Sequence, residues 1–133
     1  MDLRRQLREH PDGPEARHYL FSIGEYYFEQ DMPTAASDCF VRMEPEASRG
    51  TEDLLALVYL ARCAQVLKNQ KMLSFFDAKL QDALASRGFF ALFNSARSGT
   101  WRSTFGNRFD FKEEVDRLEI RLNEKPFYAI SLS

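Results

Sequence analysis

From Ala16 to about Gln30, apolar residues return at helical intervals (Ala16, Tyr19, Leu20, Ile23 and Tyr27), which predicts an amphipathic helix. The stretch QDMPT breaks that pattern. Pro33, suited to the first turn of a helix because it lacks a backbone donor, then restarts the chain. The second helix carries Ala36, Cys39, Phe40 and Met43 on one stripe. After the loop EPEASRGT, the pattern predicts a third helix from about Glu52 to Leu67, a polar break at KNQK, and a fourth helix from about Met72 to Ser86. Upstream, Leu3 and Leu7 mark a short amphipathic piece that ends at HPDGP. Downstream, FFALFNSAR, residues 89–97, predicts a fifth helix, and SGTWRSTFGNR a loop. A last helix is expected over 110–124. Asp110 would cap it, Glu113 would complete a capping-box-like pair, and Phe111, Val115, Leu118 and Leu122 would form its buried stripe. Only the tail PFYAISLS, residues 126–133, is β-prone or extended. The expected fold is all-α, a single helical domain over 1–133.

Gly24 stands inside the first helix, where a glycine costs about 1 kcal/mol relative to alanine. A second helix passing close to it would offset that cost. Sliding the chain by 37 residues lays Gly24 over Ala61, Tyr27 over Ala64 and Ala36 over Leu73, so two helix–break–helix units follow one another. Residues 17–50 resemble a tetratricopeptide repeat through Leu20, Ile23-Gly24, Tyr27, Ala36, Phe40 and Met43. Met43 is bulkier than the alanine usual in that family, and the closing proline is displaced to Pro45. Residues 51–86 form a degenerate second unit that keeps Leu57 and Leu60-Ala61. The resemblance implies about two antiparallel helical hairpins, with residues 87–133 as a C-terminal extension and 110–124 as its capping helix.

It also implies a concave groove lined by the first helix of each pair. The groove-facing positions are His18, Phe21, Glu25, Phe28 and Glu29, with Leu55, Val58, Arg62, Gln65 and Val66 from the second unit. Phe21 and Phe28 lie about 100° round the helix from Leu20 and Tyr27, so the core of the pair does not itself need them. They meet either a partner or this chain's own N-terminal helix or tail. If a partner, the Phe21→Ala/Phe28→Ala double variant keeps its helical circular dichroism and loses capture; if the core, it unfolds. Glu25 and Glu29 suit a basic or apolar peptide or helix better than a terminal carboxylate. The expected function is a protein-binding scaffold: an adaptor, chaperone or assembly subunit, with self-association as a further option because short arrays leave terminal helices unpaired.

Charge adds a second reading. Net charge is −2, which selects no class of partner, but its distribution is uneven. Residues 83–109 hold Arg87, Arg97, Arg102 and Arg108 with no acid or lysine, interleaved with Phe89, Phe90, Phe93, Trp101 and Phe105. Arginines among aromatics stack and neutralise single-stranded nucleic acid, and they also form hot spots between proteins. The alternative function is therefore a regulatory module binding nucleic acid or an anionic ligand through Arg97, Trp101, Arg102 and Arg108. A helical module ordinarily joined to an enzyme is a third reading.

Catalysis finds little support. The two histidines, His10 and His18, have no neighbouring nucleophile, and no His, Cys and carboxylate cluster has metal-ligand spacing. No enzyme activity, metal or cofactor is expected. At 44% hydrophobic and 29% charged residues, the chain has an ordinary globular mixture. No apolar run approaches the ~18–20 residues needed to cross a bilayer, and MDLRRQLREHPDG lacks the apolar centre of a secretory signal. Cys39 and Cys63 fall on apolar faces, where reduced thiols behave as small hydrophobes. A cytoplasmic location is expected, with no membrane insertion.

Overall fold

A computed structural model describes residues 14–87 and 98–131. Four helices occupy the first part: α1 (Pro14–Glu29), α2 (Pro33–Arg42), α3 (Thr51–Val66) and α4 (Gln70–Arg87), with a 3-10 turn at Ala47–Arg49. Four strands follow: β1 (Ser98–Arg102), β2 (Arg108–Glu113), β3 (Arg117–Leu122) and β4 (Lys125–Ser131). Each strand pairs antiparallel with the next, in the order β1-β2-β3-β4. The protein is thus mixed, a helical layer with a four-stranded meander, and the all-α expectation is corrected.

Local chemistry explains the helices. Glu15 in the first turn of α1, and Glu52 with Asp53 in that of α3, place carboxylates where the helix dipole favours them. Pro33 opens α2, and the Asn69 side chain caps α4 by accepting from the Met72 amide at 3.1 Å. The residues after α1, α2 and α3 (Asp31, Glu44 and Lys68) take left-handed conformations, which end each helix sharply. Arg17 Nε donates to the Met43 carbonyl while Gly24 faces Phe40, so α2 runs back along α1.

That crossing accounts for the glycine. A Cβ at Gly24 would lie 2.6–2.9 Å from three ring atoms of Phe40, which is fully buried and stacked on Tyr59 with centroids 4.7 Å apart. Gly24→Ala gains about 1 kcal/mol of helix propensity but forces a ring that has nowhere to go, an overpacking cost of roughly 1–3 kcal/mol. Net destabilisation of up to about 2 kcal/mol is expected in urea unfolding, with recovery in Gly24→Ala/Phe40→Leu. A more stable Gly24→Ala would show that the ring yields freely.

The expected capping helix over 110–124 is instead the β2–β3 hairpin. Positions 111, 115, 118 and 122 satisfy a helical repeat, yet Phe109, Phe111, Leu118 and Ile120 satisfy a period of two, and these four are the buried ones. Val115, required on the helical stripe, is 95% exposed in the turn. Asp110 caps nothing; its carboxylate accepts from Thr100 and Arg108 across the outer face of the sheet. The stretch read as a loop, SGTWRSTFGNR, contains β1 and the start of β2. The predicted pieces at residues 1–13 and 89–97 lie outside the described residues.

One core joins the two layers. Tyr59 of α3 sits at its centre, with ring contacts to Phe21 and Phe28 of α1, Phe40 of α2, Phe109 of β2 and Phe127 of β4. The tail strand is further held by Tyr128, whose hydroxyl donates to Asp77 of α4 at 2.6 Å. No described helix is long and apolar enough to cross a membrane.

Candidate interaction surfaces

The residues expected to line a groove are brought together, but the chain's own sheet lies over them. Phe21 is fully buried and meets Trp101 of β1 edge-on at 5.7 Å. Phe28 packs against Phe127 of β4, in the chain's own tail, at 5.8 Å, whereas the β1 strand that covers Phe21 was not among the expected occupants. Leu55 and Val58 are fully buried. The Arg62 guanidinium lies over the Phe127 ring at 5.9 Å and donates to Gln65 Oε1. His18 stands at the rim, its Nδ1 2.7 Å from Glu52 and its Nε2 3.0 Å from Thr104. Glu29 and Val66 remain exposed.

Glu25 is the unexpected member. It is 0% exposed, and Asn107 Nδ2 donates to one carboxylate oxygen at 2.8 Å. Asn107 in turn accepts from Asn123 Nδ2, and Asn123 accepts from the Arg108 amide, linking α1 to two turns of the sheet. The other Glu25 oxygen and the Tyr59 hydroxyl are buried, and neither has a close hydrogen-bond partner among the described residues. Burial pushes the Glu25 carboxyl up to about 7, against the pull of Asn107 and Ser103, with Glu29 and Glu52 adding to the rise. Burial, and then the neighbouring Glu25, likewise raises the Tyr59 phenol. This carboxylate acts as a strut between layers rather than as a contact for a visitor.

The arginine–aromatic segment is divided by strand alternation. Trp101 and Phe109 are paired on the inner face, whereas Arg102 and Arg108 are paired on the outer one. Arg108 is held by Asp110 and Glu124, each at 3.0 Å. Among the described residues the strand register sets no aromatic ring beside Arg102 and Arg108 on the outer face, and Arg97 lies outside the described residues. Cys39 and Cys63 are free and buried, and burial pushes the Cys63 thiol up to about 12.

A different surface is open. Val41 of α2 and Phe75 of α4, 50% and 57% exposed, line one groove of about 300 Å³. Its floor is Leu57 and Leu60 of α3, with Pro45 and Phe76 at the sides and Glu44, Glu46 and Lys79 at the rim. Among the described residues, no strand residue lines it. The wall at 44–46 is anchored by Asp53, which accepts from the Glu46 amide and pairs with Arg17 and Arg49. Sequence reasoning missed this groove, although one signal was present. Phe75 and Phe76 are adjacent and point about 100° apart on a helix, so a single core face does not take both. No protein-family model matches the chain, and the comparisons with curated proteins and solved structures found no match.

Proposed function

We propose that this protein is a protein-binding module, serving as an adaptor, chaperone or assembly subunit, that receives an apolar-anchored polypeptide segment in the groove between α2 and α4. The tetratricopeptide-like pattern of residues 17–50 fits such use, with the binding face moved away from the side the sheet occupies. The observation that carries the reading is the shared exposure of Val41 and Phe75 over a buried floor of Leu57 and Leu60. Large apolar side chains clustered in water are a standing cost that a docked partner removes. At about 300 Å³ the groove is at the small end of ligand cavities and is sized for a few side chains of a helix. We place this activity in the cytoplasm, where Cys39 and Cys63 would stay reduced.

A photoreactive phenylalanine analogue at position 75, compared with one at position 121 on the outer face of the sheet, tests the reading in the native cell. A discrete adduct from position 75, lost when Val41→Asp is added, is the expected result. Adducts from position 121 alone, or from neither position, would overturn it.

A further inference from the structure

Resting on that reading, we infer that the groove takes an amphipathic helix with its apolar ridge flanked by cations on one side and anions on the other. The unlike charges come from different elements. Glu44 and Glu46 stand on the wall that follows α2, and Lys79 stands on the α4 wall, with Leu57 and Leu60 between them. Of the three, only Glu46 has an ion-pair partner among the described residues, and that one is distant. Glu44 makes no ion pair among the described residues; its backbone carbonyl, not its carboxylate, is what Arg49 binds. Glu46 reaches Arg49 only at 4.0 Å, while the same guanidinium is nearer to Asp53 at 3.5 Å. The Lys79 ammonium lies 5.1 Å over the Phe75 ring and has no carboxylate partner among the described residues.

A purely apolar ridge would fill the floor and leave these three groups partly dehydrated, with only Glu46 near an opposite charge. A uniformly basic helix would satisfy the 44–46 wall and oppose Lys79; a uniformly acidic one would do the reverse. A helix with unlike flanks matches both walls in one of its two directions along the groove, so the rim also sets the orientation of the bound segment.

Three synthetic helices sharing one leucine ridge test this against the full chain: one with lysines on one flank and glutamates on the other, one with lysines on both, one with glutamates on both. Fluorescence anisotropy at low salt should rank the mixed helix roughly threefold to tenfold tighter than either uniform one, the range given by a few exposed ion pairs. Lys79→Glu should move the preference to the doubly basic helix, and Phe75→Asp should weaken all three. Equal affinities, each reduced by Phe75→Asp, would overturn the charge rule while leaving the groove in place. Binding by none of the helices, or binding indifferent to Phe75→Asp, would overturn the groove and the proposed function with it.

Discussion

Phe21→Ala is expected to destabilise the protein by about 3–5 kcal/mol, the range for deleting a fully buried phenylalanine. The ring is 0% exposed and touches Phe40, Tyr59 and Trp101 at 5.7–5.8 Å, so its loss opens a void between the helical layer and the sheet. A Phe21→Ala/Phe28→Ala double variant removes two neighbours of Tyr59, and the two losses do not simply add. Even so, the total approaches the whole stability of an ordinary domain. Loss of cooperative unfolding, followed by circular dichroism in urea, is therefore expected of the double variant, in place of the intact helical signal foreseen for rings lining a partner groove. A change below about 1 kcal/mol in Phe21→Ala would mean that the sheet does not cover this face in solution.

Glu25→Gln should remove most of one pH dependence of stability. In the unfolded chain this carboxyl releases its proton near 4.5, and in the folded protein it holds it to about 7. Between those values the native state binds more protons, so the contribution is fully present below pH 4.5 and is lost as pH rises through about 7. At ~1.4 kcal/mol per tenfold change in proton affinity, the interval from 4.5 to about 7 amounts to roughly 3 kcal/mol. Glutamine keeps an acceptor for Asn107 Nδ2, gives Tyr59 a donor, and carries no charge to bury. Urea midpoints from pH 4.5 to 8 should converge for wild type and variant at the acid end and separate toward pH 8, with the variant the more stable. Parallel curves would show that Glu25 meets solvent.

The helical half of the fold was legible because its signals are local: Pro33 at a helix start, a period near 3.6, and a glycine whose cost demanded a close neighbour. The sheet was hidden because 111, 115, 118 and 122 satisfy a helical repeat while 109, 111, 118 and 120 satisfy a strand. Over so short a span, the choice belongs to what packs against it. Trp101 beside Arg102, and Phe109 beside Arg108, carried the strand signal in the alternation itself; taken as composition, Trp101, Arg102 and Arg108 suggested a binding surface. Phe21 touches Phe40 of α2 as well as Trp101 of β1, so the helix pair does use it, and the surface that Phe21 and Phe28 meet belongs to this chain. Glu25 gave no warning, since its partner Asn107 lies 82 residues away.

Consecutive strands pair with one another, and α1–α2, α2–α3 and α3–α4 make most of the helical contacts, so most of the topology closes over short loops. The bonds from Glu25 to Asn107 and from His18 to Thr104 instead span 82 and 86 residues. Ring closure over such lengths carries the larger entropic penalty. Hairpins are therefore expected to assemble early, with the meander seating on the helices last. Side chains that act only across that seam should govern how fast the native state opens more than how fast it forms.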